Sequence, residues 1–502
     1  MALAEKITDR TYDVAALAAE LRQALGPRNV LDKPHQTMLY ESDGSTDRHP
    51  CDIVATPEST EQVAELVRIC RRHHVPIVAR GAGTSLSGTA VPAEAGVVVS
   101  TARMDKILSV DPLSRTAVVQ PGVVQLDISH AAAEFGLYYA PDPSSQKSCT
   151  IGGNVGTNAG GAHTLAYGVT SNHVLALEWV DADGAVATMH ASREGPGYDL
   201  TGLLIGSEGT LAFVTEITVG LLRLPESTRT LLASFETVTA ACHVVSEIIG
   251  AGIIPAACEL MDQPCAQAVA GWVPSAGIPQ NAGAVMVVEV EGIDAGLDED
   301  AAAIEQICRA SEGLIEIRRA ADEAEREDLW KARKGAFGAI GVLAPDFYVQ
   351  DGVVPRTRLP EVLEEVAAIG ERYGLRIMNV FHAGDGNIHP TVLFDRAGDP
   401  ESLERVKAAG ADILQVCMEV GGTLTGEHGL GMEKNMLLGE LLDPPSLEAM
   451  VKVRDAFAPH RLLNPSKLLP LPLSRSDLAD YRRPHRAPRA AASGSGEGSC
   501  GG

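Results

Sequence analysis

Apolar positions along this chain recur with two different periods. In ESTEQVAELVRICRRHH, starting at Glu58, residues Val63, Leu66, Val67 and Cys70 fall on one face at helical spacing. Ser59 and Gln62 have the spacing of a capping box, and Pro76 is expected to end the helix. Ile77 to Ala79 then reads as a buried strand that runs straight into a glycine loop, GVVVS at 96–100 as a second strand, and TAVVQPG, ending at Gly122, as a third. A helix is predicted from about Val124 to Phe135, and ALEWVDADGAVATM at 176–189 predicts a hairpin around Asp183-Gly184. The pattern changes near Pro225: LLASFETVTAACHVVSEIIGAG reads as strand then helix, AVMVVEVEG at 284–292 as a strand, and SLERVKAAGADILQVCMEVGG as a long amphipathic helix. Short strands alternating with helices give an α+β fold class. Past residue 470 the Arg-, Pro-, Ser- and Gly-rich composition predicts a disordered tail over 471–502.

Composition narrows the function. The chain has 502 residues, 41 basic and 66 acidic, for a net charge of −25. That balance argues against nucleic acid or an anionic membrane surface as a partner, since both need a basic face. The cysteines are Cys51, Cys70, Cys149, Cys242, Cys258, Cys265, Cys308, Cys417 and Cys500, with no CxxC pair, so no iron–sulfur or zinc-ribbon site is expected within the chain. No signal-like N-terminal run or bilayer-length apolar stretch stands out, and the expectation is a cytoplasmic protein with no membrane insertion of its own.

Three segments are dense in Gly, Ser, Thr and Asn: RGAGTSLSG from Arg80, DPSSQKSCTIGGNVGTNAGGAHTLAYG from Asp142, and GSEGTLAFVTEITV from Gly206. The first is neither a P-loop nor a correctly spaced dinucleotide fingerprint. One such loop is as readily a plain turn; three in one domain suggest a cradle for an extended ligand with a pyrophosphate and a flat ring system. A second constellation comprises His382, Asp385, His389, Glu427 and His428. A hairpin through VFHAGDGNIHP would bring His382 and His389 together. Spacing alone leaves open whether these are ligands or hydrogen-bonded loop histidines.

RGAGTSLSG, APDPSSQKSCTIGGNVGTNAGG and GSEGTLAFVTEITV resemble the FAD domain of the vanillyl-alcohol oxidase/p-cresol methylhydroxylase type. FYVQDGVVPRTRLP, NVFHAGDGNIHP, GGTLTGEHGLG and RLLNPSKLLP narrow the resemblance to the FAD-linked subunits of bacterial glycolate oxidases, within the FAD-linked D-2-hydroxyacid/D-lactate dehydrogenase group. It extends from about Asp43 to Pro470. It implies a two-lobed FAD-binding domain plus an α+β substrate (cap) domain with an antiparallel sheet. The expected division is a helical lead-in over 1–48, an FAD-binding domain over 49–225, a substrate domain over 226–424 and a segment over 425–470 that closes the flavin site.

The resemblance also implies roles. Arg80, Gly81, Ala82, Gly83, Thr84 and Ser85 would wrap the FAD pyrophosphate. Thr84 stands where some relatives carry a flavin-linked histidine, so FAD is expected to be non-covalent. Pro141, Asp142, Ser145, Gly152, Gly153, Asn158 and Gly161 would line the flavin. Glu208, Gly209 and Ile217 would reach the adenosine end, and Asn464 would return to the ring system. By resemblance to metal-dependent members, His382, His389 and Glu427 would hold a divalent metal such as Zn or Mn, with His428 as base; in a metal-free version the histidines bind the substrate carboxylate themselves. Arg333, in LWKARKGAFGAIG, would grip that carboxylate, and Phe337, four residues on, offers no further polar contact. Asp351 would orient a pocket group or cap a turn. The expected reaction is oxidation of a small 2-hydroxy acid, glycolate or D-lactate. Electrons would pass to partners, a second FAD-domain subunit and an iron–sulfur subunit leading to the quinone pool, and those partners would supply any membrane association. The rival readings are a stand-alone D-lactate dehydrogenase, a non-redox flavoenzyme of the same fold, a metal hydrolase and a non-catalytic flavin subunit. Trp179, Trp272 and Trp330 are expected to pack, and Cys149 to be a small packing residue.

Overall fold

The computed structural model describes residues 11–189 and 197–470. The predicted tail over 471–502, with Cys500, lies outside the described residues.

Three parallel strands, Ile53–Ala55, Val97–Ser100 and Ile77–Arg80, form the core of a first, four-stranded sheet. Val30–Leu31 adds an antiparallel edge. The parallel strands are buried almost throughout, as expected when both faces are covered. The helix Thr60–Arg72 links two of them and buries Val63, Leu66, Val67 and Cys70. Ser59 Oγ accepts from the Gln62 amide, whereas the Gln62 side chain accepts from the Glu58 amide, so only half of the predicted capping box forms. The helix also stops short of Pro76: His74 already has φ +55° and turns the chain.

A second sheet is antiparallel, in the order Ile107–Asp111, Thr116–Val119, Phe213–Gly220, Val174–Val180, Val186–Met189. Burial alternates along Phe213–Gly220, the mark of one face turned to a core. Val180 pairs with Val186, which closes the predicted hairpin.

The second half builds a nine-stranded antiparallel sheet whose central strands are Ser227–Phe235, Ala284–Gly292, Ala257–Asp262 and Arg376–His382. Met286 and Val288 pack against the helices Val238–Gly250, Asp294–Ala310, Leu359–Tyr373 and Ser402–Glu419. Val285 and Val287 pack against Gln263–Trp272, Glu323–Lys334 and Ala336–Ile340 on the opposite face. Cover on both faces explains why the chain is continuously apolar from Ala284 to Val288. The chain finally returns to the first sheet: Ile77 donates to the Leu462 carbonyl at 2.8 Å and the Asn464 amide donates to the Ile77 carbonyl at 2.7 Å.

Trp179 and Trp330 are buried as expected, but Trp272, at the end of its helix, is half exposed. The eight described cysteines are buried and unpaired. Among the described residues no helix is long and apolar enough to cross a membrane.

Candidate active site

A cavity of about 390 Å³ is lined by all three glycine-rich segments and by Lys334, Phe337, Phe347, His389, Glu427 and His428 from the second half. The glycines allow backbone to pass close to its neighbours. A Cβ on Gly81 would lie 2.2 Å from Thr150 Oγ1, and one on Gly161 would meet Asp142 at 2.5 Å.

Of the residues expected at a cofactor, Arg80, Gly81, Ala82, Gly83, Thr84, Ser85, Ser145, Gly152, Gly153, Glu208 and Gly209 border the cavity. The others form the frame behind it. The Pro141 carbonyl accepts from Gln125, and Asn158 Oδ1 accepts from the Ser171 amide. Asn464 Nδ2 holds the carbonyls of Thr89 (3.0 Å) and Glu208 (2.6 Å). The Glu208 carboxylate is turned onto the amides of Leu430 and Gly431, which ties the second sheet's loop to the C-terminal segment. Ile217 occupies an inward position of its strand and packs in the second sheet's core; Phe213 and Val214, earlier on the same strand, border the cavity instead.

The predicted hairpin puts the His382 and His389 rings 5.1 Å apart, edge to face. His389 stacks on His428 at 4.9 Å. Glu427 Oε1 lies 3.2 Å from His382 Nε2, 3.4 Å from His389 Nε2 and 3.8 Å from His428 Nε2. The loop that carries Glu427 and His428 is held from below by Asp351, a fully buried carboxylate. It accepts the amides of Gly426 (3.0 Å), Glu427 (3.3 Å) and His428 (3.0 Å) and the Asn387 side chain (2.8 Å). Asp351 therefore does what a turn cap does, for a functional loop.

Sequence reasoning missed Glu259, a carboxylate in the middle of the buried strand Ala257–Asp262. It accepts from His382 Nδ1 at 2.8 Å and pairs with Arg333. A charge in the middle of an otherwise apolar strand is the signal that could have found it. Arg333 consequently does not border the cavity: its Nη2 is committed to Glu259 and it is 3% exposed. The neighbouring Lys334 borders the cavity instead, with Nζ 2.9 Å from Asp142 Oδ2.

Electrostatics follow from burial and pairing. Burial opposes charge on Glu427, but the hydrogen bond from His382 and the charge of that ring win and bring its carboxyl down to about 2. Burial likewise opposes charge on His382, yet Glu259 and Glu427 raise it well above the ordinary histidine range. For His428 burial dominates despite Asp351, so its pKa falls to about 4 and the ring is neutral near pH 7. Burial also keeps Cys149 protonated, in line with a packing role.

The family model described as "FAD binding domain" matches residues 51–190, and that described as "FAD linked oxidases, C-terminal domain" matches 224–468. The glycolate oxidase subunit GlcD of Escherichia coli (strain K12) is 43% identical over 460 residues, 91% of this chain and 92% of that protein. This chain belongs to the GlcD family of FAD-linked oxidases. The GlcD subunit of Bacillus subtilis (strain 168) is 39% identical over 89% of this chain and 96% of its own length. A D-lactate dehydrogenase of Archaeoglobus fulgidus is 33% identical over 83% and 91%. The solved structure of p-cresol methylhydroxylase with substrate bound superposes with a TM-score of 0.77 at 18% identity, covering 91% of this chain and 97% of that one, and shows that the fold is shared. As expected of a GlcD-family chain, the cavity suits FAD. Among the described residues, no amide from 82 to 86 has a protein acceptor, which leaves a row of donors for an anionic cofactor.

Proposed function

We propose that this chain oxidises a small 2-hydroxy acid, glycolate or D-lactate, to the 2-oxo acid. The observation that carries the reading is that His389, Glu427 and His428 border the same cavity as the three glycine-rich segments. A proton acceptor and a cofactor cradle thus face one space. The relatives' names, glycolate oxidase subunit and D-lactate dehydrogenase, agree with it.

His428 is the base. Its ring is neutral near pH 7 and borders the cavity, so it can accept the substrate's hydroxyl proton. FAD, when bound, supplies the hydride acceptor. The loop at 80–85 would hold its pyrophosphate, and with threonine at position 84 the attachment is non-covalent. Arg333 is assigned to holding Glu259 against His382 rather than to the substrate.

The His382, His389 and Glu427 set fits a divalent ion such as Zn or Mn. Glu259 engages His382 Nδ1 and turns Nε2 toward Glu427, and His389 Nε2 is buried without a hydrogen-bond partner. Such an ion would bind the substrate's oxygens and lower the pKa of its hydroxyl. It would take the place of the proton that His382 otherwise carries.

The chain divides, in this reading, into a lead-in to residue 48, an FAD-binding domain over 49–225, a substrate domain over 226–424 and a closing segment over 425–470; the pairing of Ile77 with Leu462 and Asn464 supports the last. With every described cysteine buried and unpaired, one-electron relay is assigned to partners, a second FAD-domain subunit and an iron–sulfur subunit that lead electrons to the quinone pool. The chain itself is cytoplasmic and meets the membrane only through them. Product analysis tests the reading. With a dye acceptor, the protein should convert glycolate to glyoxylate, and His428→Asn should abolish this while retaining FAD. Turnover of no 2-hydroxy acid would overturn it.

A further inference from the structure

We propose that Ser87, in the first glycine-rich segment, is a positioning residue for the base His428, so that the loop that wraps the cofactor also sets the proton acceptor. The inference rests on the 2-hydroxy acid reading, in which His428 is that base.

Ser87 follows the residues expected at the cofactor, is fully buried and does not border the cavity. Here the loop turns away from the cofactor space and meets the segment 428–432. Ser87 Oγ donates to the His428 carbonyl at 2.8 Å, and the Ser87 carbonyl accepts from the Met432 amide at 3.1 Å. One residue thus grips both ends of that segment. The two stretches meet as bare backbone. A Cβ on Gly431 would overlap the Ser87 carbonyl oxygen, and one on Gly88 would lie 2.9 Å from Met432 Cγ. Both glycines also have positive φ, +53° and +77°, so the close approach is built into the sequence.

The hydrogen bond to His428 falls where the loop most needs one. Gly426, Gly429 and Gly431 leave this stretch little conformational preference of its own. Its amides are taken from two sides: Asp351 accepts those of Gly426, Glu427 and His428, and Glu208 accepts those of Leu430 and Gly431. A carboxylate cannot hold a carbonyl. The peptide that joins His428 to Gly429 is fixed by two hydroxyls instead: Thr425 Oγ1 accepts the Gly429 amide at 2.9 Å, and Ser87 Oγ holds the carbonyl. Among the described residues no main-chain amide donates to that carbonyl. Without Ser87 Oγ the peptide loses one of its two anchors beside a glycine at φ +81°, and the Cα that carries the imidazole can shift with it.

Placement of the base is then tied to the shape of the cofactor loop. The loop is braced on both sides of Ser87: the Gly44 amide donates to the Ser85 carbonyl at 2.8 Å, and Asp43 accepts the Ala90 amide at 3.3 Å. The Ser87 amide donates to Ser85 Oγ at 3.3 Å, and the free amides of 82–86 lie immediately before it. When those amides hold the cofactor's phosphates, the stretch of chain from which Ser87 reaches His428 is fixed as well. Ser87 carries no charge and touches neither cofactor nor substrate. Its effect is on where His428 sits, not on how tightly either ligand binds.

The test uses full-length, FAD-loaded protein with Ser87→Ala, Ser87→Cys and Ser87→Thr. In stopped-flow reduction by glycolate the limiting rate should fall about 10- to 100-fold in Ser87→Ala, with the apparent Kd for glycolate and the FAD content unchanged. Ser87→Thr keeps the hydroxyl and should recover most of the rate. Ser87→Cys keeps the volume with only a weak donor and should resemble Ser87→Ala, which secures the comparison should Ser87→Ala shed FAD. Hydrogen exchange read by mass spectrometry should quicken over 426–432 in the slow variants and stay as in the wild type over the helix Gln263–Trp272. A limiting rate within about twofold of wild type in both Ser87→Ala and Ser87→Cys would overturn the inference, as would a loss confined to FAD content or thermal stability. Equal slowing in all three variants with unchanged exchange over 426–432 would overturn it too. If the wild type is reduced by no hydroxy acid, the 2-hydroxy acid reading fails, while the exchange comparison still decides whether Ser87 holds the segment that carries His428.

Discussion

Replacing Asp351 with Asn changes one atom in a fully buried group and should disable the site. The Asp351 carboxylate is met by the amides of Gly426, Glu427 and His428, the side-chain amide of Asn387, the Thr425 hydroxyl, His389 Nε2 at 3.5 Å and Lys434 Nζ at 3.5 Å. The neighbouring His428 ring, Lys434 and His389 hold its pKa well below the usual carboxylate range although burial opposes the charge. An asparagine must turn its NH2 toward donors in either flip, and it leaves Lys434 without a counter-charge. Hydrogen bonds to charged groups contribute about 1.5–3 kcal/mol each, and breaking a buried ion pair costs about 3–5 kcal/mol. Destabilisation of about 3–5 kcal/mol is therefore expected, centred on the loop at 425–431. That loop carries Glu427 and His428, and a displacement of about 1 Å at reacting groups costs on the order of a hundredfold in rate. The assay is stopped-flow reduction of the bound flavin by glycolate, with FAD content and thermal unfolding measured alongside. FAD should be retained, because Asp351 does not border the cavity. Flavin reduction should slow by about a hundredfold or more. A variant with a rate within about twofold of wild type and an unchanged unfolding midpoint would refute the reasoning.

Glu259→Gln removes the carboxylate that orients His382 and leaves Arg333 buried without a counter-charge; flavin reduction should slow about 10- to 100-fold, and added Zn or Mn should restore part of it in a titration of rate against metal. Prolonged dialysis of the wild type against a chelator should slow reduction by glycolate without releasing FAD, and metal analysis before and after should follow the loss. For stability against pH, His163 has a folded pKa of about 10, above its ordinary 6.5. Its contribution is complete below about pH 6.5 and is lost as pH rises toward 10. The thermal midpoint of the wild type should therefore fall relative to that of His163→Gln between pH 7 and pH 10, and parallel curves would contradict the assignment.

What the sequence disclosed and what it withheld divides along physical lines. Wherever period and burial coincide, reading was direct. The helix face of Val63, Leu66, Val67 and Cys70 and the strand Ala284–Gly292 are as expected. The turn that joins His382 to His389 is local, so their meeting was legible too. Arg333 and Lys334 could not be told apart, because which face of their helix meets the cavity depends on how it packs against the nine-stranded sheet. Glu259 and Asp351 were undervalued for a related reason. Each acts on partners far along the chain: Glu259 on His382 and Arg333, and Asp351 on the amides of Gly426 to His428. Ile217 shows the reverse error, since a residue inside a recognised motif can belong to the core when strand alternation turns it away from the cavity. Similarly, Asn464 and Asp142 shape the site by holding other residues rather than by facing it.

The most direct test of the central claim, that one chain brings a flavin and a hydroxy-acid site to a common cavity, is the anaerobic visible spectrum of the purified protein before and after glycolate is added. The account predicts a yellow protein whose flavin absorbance bleaches with glycolate and does not bleach in His428→Asn. A protein that binds FAD but stays oxidised with glycolate and with both lactate enantiomers would contradict it.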